Sequence, residues 1–429
     1  MKHKRITKTL SLLLTLTLLL CSCQTAHGSE KFEIRNEGIA SNGFEKEKDN
    51  NKPEEKETGN INKQSNKAYE PLNYDEQKAI WFSYIDLAEF ISGNTKQEFK
   101  ASIGLALDEV SKAGFNTVYI HVRAFEDAFY KSELFPKTAY LGDNTYDPLK
   151  IIISKAHKLN LSVHAWINPF RCGTSETINS TADNYTIKKW YKDKNKKGKY
   201  IVSVKNDEHL WLNPAYDEVR NLVADGASEI AENYDIDGIH FDDYFYPTTE
   251  KSFDHEAFEK SGTDNLSEWR IDNINKMVKL VYDSVKKVDK NIKFGISPQG
   301  NIENDYQLQF ADVKTWCSKS GYIDYIAPQV YYGYSSTSPY KETIERWNSI
   351  KTNKNVKLVI GLAEYKVVTE DEFLNNEGII ANQIKDAKKL SNYGGIAIYN
   401  YKNLFKAEKK FSDRIKSEYT YIAKELAEE

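Results

Sequence analysis

The chain has 429 residues, with 63 acidic side chains against 59 basic ones and a net charge of −4, and no stretch of it reads as a basic stripe. That balance argues against a nucleic-acid partner, which calls for a clustered positive face. Tyrosine is abundant at 28 residues, and seven tryptophans add to it; in an exported protein such rings suit sugar faces, and they serve core packing equally well.

The first residues, MKHKRITKTLSLLLTLTLLLCSC, run from basic to apolar to small, as a secretory signal does. The apolar run is shorter than the ~20 residues a bilayer span takes. Its end, Leu20-Cys21-Ser22-Cys23, resembles a bacterial lipobox. We therefore expect residues 1–22 to be a lipoprotein signal peptide and Cys23 to be the lipidated residue; an ordinary cleaved signal is the alternative. The lipid reading predicts a protein anchored to a membrane of the bacterial cell envelope, outside the cytoplasm, and not one that spans it. Residues 23–75 are rich in Asn, Lys, Glu, Ser and Gly, and large apolar side chains are sparse. Such a stretch buries too little surface to offset its chain entropy and predicts a disordered tether, with an end-to-end distance of roughly 40 Å.

From Lys78 onward strand-like and helix-like segments alternate. The strands are expected in AIWFSYI from Ala79, NTVYIHVR from Asn116, LSVHAWINP from Leu161 and IDGIHFDD from Ile236. They continue in IKFGISP from Ile292, YIDYIAPQVY from Tyr322, VKLVIGLA from Val356 and GGIAIYNY from Gly394. Each is apolar at most positions, as strands covered on both faces are. Helical spacing fills the gaps, in TKQEFKASIGLALDEVSKAG, DPLKIIISKAHKLN, NPAYDEVRNLVADGASEIAENY, SEWRIDNINKMVKLVYDSVKKV, PYKETIERWNSIKT and IANQIKDAKKLSN, with a shorter piece near ADVKTWCSKSG. Eight strands alternating with helices predict an α/β fold, a (β/α)₈ TIM barrel over residues 76–403 with a helical tail at 404–429. An open doubly wound sheet is the alternative, disfavoured because no glycine-rich phosphate loop opens the first unit. We expect a monomer. Without Cys21 and Cys23, only Cys172 and Cys317 remain, and no Cys/His spacing suggests zinc. No metal or other cofactor is expected.

The strands begin apolar and end polar. His121 and Arg123 end the second, Asn168 and Arg171 the third, and Asp242 and Asp243 the fourth. Ser297 and Gln299 end the fifth, Gln329, Tyr331 and Tyr332 the sixth, Glu364 and Tyr365 the seventh, and Tyr399 and Asn400 the eighth. Reactive groups of such barrels gather at the C-terminal ends of the strands. The pattern predicts one polar, aromatic-lined mouth with two adjacent carboxylates in it.

DGIHFDDYFYP, AWINPFR and APQVYYGY together resemble the glycosyl-hydrolase-like lipoprotein family of (β/α)₈ barrels related to the barrel glycosidases. The resemblance covers roughly residues 76–403. It implies a glycoside hydrolase, and in some members a polysaccharide substrate made of peptide-free peptidoglycan strands. The Asp-Gly-x-x-x-Asp pattern at Asp237–Asp242 is similar to one in which the last Asp is a nucleophile. That would give Asp242 this role, but the Glu that should end the fifth strand is absent from FGISPQGN. The adjacent Asp pair also resembles N-acetylhexosaminidases in which the substrate's acetamide oxygen attacks the anomeric carbon. One acid then orients the acetamide and the other protonates the leaving group.

Glycosidic cleavage needs a proton donor and a group that stabilises an oxocarbenium-like centre. Neighbouring carboxylates among aromatic rings divide these tasks, because repulsion and burial push one pKa up. Asp242 and Asp243 are the expected catalytic pair, with Glu364 as a further acid candidate. Substrate contacts are expected from Arg123, Asn168, Arg171, His240, Gln329, Tyr331, Glu364 and Tyr399. Arg123 and Arg171 either pair with the aspartates or grip a sugar's carboxylate, and His240 is either a pocket contact or a buried, hydrogen-bonded histidine. Asp237 is expected to bond backbone. The rival readings are a non-catalytic glycan-binding lipoprotein and a hydrolase of another exopolysaccharide.

Overall fold

The computed structural model describes residues 69–428; the signal segment, Cys23 and the tether as far as residue 68 lie outside them. Eight parallel strands close into a barrel in chain order, the last pairing with the first. They are β1 (Gln77–Phe82), β2 (Thr117–Arg123), β3 (Ser162–Ile167), β4 (Gly238–Phe241), β5 (Lys293–Ile296), β6 (Tyr325–Ile326), β7 (Lys357–Ala363) and β8 (Tyr393–Tyr399). Each expected helical segment contains a helix, shorter than the segment in most cases. Lys96–Lys112 starts from a capping box between Thr95 and Glu98, and Pro148–Ala156 starts where the Asp147 carboxylate accepts the Lys150 N–H at 3.0 Å.

The alternation along the strands separates two cores. Ile80 and Phe82 of β1 pack outward under the helices, whereas Ala79 and Trp81 point into the barrel with Tyr119, Trp166, Tyr325, Val359 and Ala397. Gly238 and Gly295 make room for this filling: a Cβ on Gly238 would stand 2.5 Å from the His164 ring, and one on Gly295 2.1 Å from the Tyr325 ring.

Two strands are shorter than their apolar runs. β1 ends at Phe82 because Ser83 and Asp86 form a capping box that starts the helix Tyr84–Ile91. The sixth run keeps only Tyr325–Ile326 as a strand, since Pro298 and Pro328 supply no N–H to the ladder. Their carbonyls still accept, from Gln329 N–H and Gly361 N–H, each at 2.9 Å. A third feature has no counterpart in the sequence pattern. Between β3 and the helix Asp217–Asn233, the strands Arg171–Thr174, Ile201–Ser203 and His209–Leu212 form a small antiparallel side sheet with His209–Leu212 in its centre.

The barrel's lower rim is closed by the start of the described chain. Tyr69 stacks on His157 at 5.0 Å and donates to Asp237 at 2.5 Å, and the Leu72 N–H donates to the same carboxylate. Asp237 also accepts the Val163 N–H at 2.6 Å, as its backbone-bonding expectation had it. Residues 69–75, assigned to the tether by composition, thus include side chains docked against the barrel. The tail forms the helix Ser412–Ala427 and buries Ile415, Ile422 and Leu426; each such side chain contributes roughly 1.5–3 kcal/mol. The Glu418 carboxylate on this helix caps the Gly378 and Ile380 N–H groups at 2.8 Å. Cys172 and Cys317 are buried free thiols.

Candidate active site

β4 alternates Gly238, His240 and Asp242 inward against Ile239 and Phe241 outward, so the two aspartates leave the strand on different sides. The chain turns at once: the Asp243 N–H donates back to Asp242 Oδ1 at 2.9 Å, and the Phe245 N–H to the Asp243 carbonyl at 3.0 Å. This turn keeps both carboxyls in one cluster. Gln329, at the tip of β6, donates to Asp242 Oδ1 at 2.8 Å and to the Ser297 carbonyl at 3.3 Å. Gln309 donates to Asp243 Oδ2 at 3.4 Å.

Burial first, and the Asp243 charge second, push the Asp242 carboxyl well above the usual carboxylate range; Arg171 opposes this weakly. Asp243 is pushed up by burial too, but hydrogen bonds from Asp242, Gln309 and Gln329 pull it back. Burial thus favours the protonated form of both carboxyls, more strongly for Asp242 than for Asp243, and the two titrate as a pair. A third carboxyl, Asp305, is fully buried nearby and raised by its own burial and by the Asp243 charge, while Gln299 N–H donates to its Oδ1 at 2.9 Å. It lies in the short helix Ile302–Leu308, where nothing in the sequence pattern marks it.

The layer beneath the pair is a ring network. Trp81 Nε1–H donates to His240 Nε2 at 3.1 Å, which leaves the proton on Nδ1 to meet the Tyr325 hydroxyl at 2.9 Å. That hydroxyl reaches His164 Nδ1 at 2.8 Å. His240 is fully buried between Tyr119, at 4.1 Å, and Tyr325, and burial holds its pKa well below the histidine range. Of its two readings, the structure shows the buried, hydrogen-bonded one, as the neutral floor of the site.

The remaining candidates divide. Asn168 caps β3: its Oδ1 meets His121 Nε2 at 3.1 Å and its Nδ2 donates to the Ala124 carbonyl at 3.1 Å. Tyr331 and Tyr399 form a ring cluster with Tyr365, centroids 6.1–6.2 Å apart, and Tyr399 also meets Trp81 at 6.2 Å. Arg171 lies between the rings of Phe125 and Tyr244, 5.0 Å from each. Arg123 and Glu364 are not brought to the pair. A register shift between His121 and Arg123 turns the Arg123 side chain out of the barrel. It is enclosed against Phe135 at 4.1 Å and against Gly226, where a Cβ would stand 2.0 Å from its Nη1, so the substrate contact expected of it is corrected to a buried packing position. Glu364 is fully buried, and burial raises its pKa to about 8; the charges it feels are Glu418 and Arg414 on the C-terminal helix, not the aspartates. Residues the sequence pattern did not mark are Phe125 and Gln309 in loops, His209 and Trp211 in the side sheet, and Asp305 in the short helix Ile302–Leu308.

A closed (β/α)₈ barrel with adjacent carboxyls at the tip of β4, both pushed up by burial, under an aromatic rim is the arrangement of barrel glycosidases. Residues 76–376 match the glycosyl hydrolase-like 10 family, and the chain belongs to that family. Among curated relatives, glycosyl hydrolase YngK of Bacillus subtilis is 32% identical over 322 residues, which are 68% of this chain and 61% of that protein. Glycosyl hydrolase DigH of Escherichia coli K12 is 30% identical over 307 residues, 64% of this chain and 68% of DigH. The chain thus spans 61% of the Bacillus relative's length. Among solved structures, the PgaB (BpsB) glycoside hydrolase domain from Bordetella bronchiseptica superposes with a TM-score of 0.54 at 10% identity, covering 79% of this chain and 99% of that domain. An α-L-fucosidase from Paenibacillus thiaminolyticus gives 0.53 at 12% identity, covering 81% and 49%. These two likenesses show the fold alone.

Proposed function

We propose that the protein is a glycoside hydrolase acting on an N-acetylated glycan, with peptide-free peptidoglycan strands as its substrate, held to the bacterial envelope by a lipid on Cys23. The observation that carries the hydrolase reading is the cluster of two adjacent carboxyls at the tip of β4, Asp242 held by Gln329 at 2.8 Å and Asp243 by Gln309 at 3.4 Å. Asp242 donates the proton to the leaving oxygen. Asp243 stays charged and stabilises the developing positive centre. The structure puts a buried Asp305 behind Asp243 and leaves Gln299 and Ser297 where a strand-five Glu would stand. A carboxyl that keeps its proton is a poor nucleophile, so direct attack by Asp242 is disfavoured. The substrate's own acetamide oxygen is the better nucleophile, with Asp243 orienting the acetamide nitrogen. Family membership and the relatives named as glycosyl hydrolases support the reaction class; the substrate and the anchor rest on the sequence motifs.

An N-acetylglucosamine thiazoline copies the bicyclic intermediate of this route. We expect it to inhibit at least ~100-fold more tightly than free N-acetylglucosamine, as intermediate mimics do, and we expect de-N-acetylated strands to resist cleavage. Turnover of de-N-acetylated strands at a comparable rate would exclude the acetamide as nucleophile.

A further inference from the structure

Six arginines lie among the described residues. Five of them have a carboxylate within 4.0 Å: Arg123 with Glu126, Arg220 with Asp217, Arg270 with Asp254, Arg346 with Glu303 and Arg414 with Glu418. Arg171 is the exception. Its Nη1 donates to the Tyr244 hydroxyl at 3.2 Å and its Nη2 meets the His209 ring at 3.4 Å, while its Nε is buried with no partner among the described residues. A half-buried guanidinium with no carboxylate within 4.0 Å gives up hydration without a paired counter-ion, a costly state unless a ligand supplies the charge.

The surroundings fix the direction of that guanidinium. Phe125 and Tyr244 hold it by their ring faces. His209 stacks on Phe125 at 5.0 Å and is itself held by Asp207, which accepts its backbone N–H at 2.9 Å. Asp207 also takes the Trp211 Nε1–H at 2.8 Å, and Trp211 lies against Tyr244 at 5.9 Å. The side sheet thus brings an aromatic wall and a cation beside the aspartates, since Arg171 donates to Tyr244, the residue that follows Asp243 in the chain.

We infer that Arg171, with the side-sheet residues His209 and Trp211, forms a subsite for a carboxylate-bearing sugar next to the scissile bond. The fork of an arginine matches a carboxylate, and half-buried Tyr244, backed by buried Trp211, offers a face to the ring that carries it. This rests on the glycan-hydrolase reading and narrows it to acidic chains. Two sources share the chemistry: a lactyl ether carboxylate, as on peptide-free peptidoglycan, and a uronic acid, as in a hyaluronan-type chain.

The test is binding, so that it stands apart from turnover. The Asp242→Asn chain is titrated with peptide-free strands, with a hyaluronan-type chain, and with each of these after its carboxyls are converted to amides. We expect at least one acidic chain to bind roughly tenfold or more tighter than its amide, in line with a charge-assisted bond, and which one does so identifies the source. Adding Arg171→Gln should equalise the two forms, and Arg171→Lys, which keeps the charge but not the fork, should retain part of the difference. Equal affinity for acid and amide in both chains, or full discrimination surviving Arg171→Gln, would overturn the subsite. Failure of the wild-type chain to cleave any strand would count against the hydrolase reading separately, because binding discrimination does not depend on it.

Discussion

Asp242→Asn is expected to lower kcat on peptide-free strands by about 100-fold or more, the usual loss when a general acid is removed, without loosening the fold. The two parts have one cause. Asp242 is buried against Gln329 and Asp243, and its carboxyl is held protonated well above the ordinary range. A group whose pKa is raised by folding binds its proton more tightly folded than unfolded. Its contribution is therefore fully present below the unfolded value, and stability is lost as pH rises from there through the folded value. An asparagine cannot ionise and keeps the acceptor that Gln329 uses, so the variant should melt at or above the wild-type temperature at neutral pH, by calorimetry. Asp243→Asn should cost a similar factor in rate and remove the acidic limb of the pH–rate profile, since Asp243 is the member that must be charged. The limbs belong to the pair as a whole. Near-wild-type rates in both variants would remove the carboxyls from the chemistry.

Arg270→Met is expected to destabilise the protein by about 3–5 kcal/mol, as loss of one partner of a buried ion pair does. Arg270 and Asp254 are both fully enclosed, and the pair is bidentate at 2.8 and 2.6 Å. The guanidinium also donates to the Thr249 and Glu250 carbonyls, at 3.1 and 2.8 Å, and lies against Tyr246 and Phe310. Tyr246 stands three residues after Asp243, and Phe310 follows Gln309, which donates to Asp243. One arginine thus ties the helix Leu266–Val288 to both segments that frame the Asp242–Asp243 turn. Chemical denaturation measures the loss. The double variant with Asp254→Leu should recover part of it, because no uncompensated charge is left buried. A single-variant loss below about 1 kcal/mol would show that the pair contributes no more than a surface one.

Why the barrel was legible and part of its site was not follows from particular residues. Strands covered on both faces must be continuously apolar, and VYIHV, SVHAWI and LVIGLA carry that pattern openly. The polar tips are as visible, because a carboxyl pair such as Asp242–Asp243 has no packing reason to end an apolar run. The side sheet hid itself: its strands are three or four residues long and mixed in polarity, so no period can form. With it went His209 and Trp211. Arg123 and Arg171 look alike as strand-end arginines, and only the register shift after His121 sends the first outward. Glu364 ends an apolar strand as Asp242 does, yet it turns toward the C-terminal helix, a long-range contact no local pattern encodes. Asp305 sits in a seven-residue helix and is buried by loops that fold over it.

The most direct test of the Asp242–Asp243 proposal is digestion of peptide-free peptidoglycan strands by the protein, alongside Asp242→Asn and Asp243→Asn, with the products read by mass spectrometry. We expect N-acetylated saccharide fragments with intact acetamides, each cleavage adding one water, from the wild-type chain and from neither variant. Unchanged strands after prolonged incubation with the wild-type chain, or the same fragments from the variants, would contradict a hydrolase that works through Asp242 and Asp243.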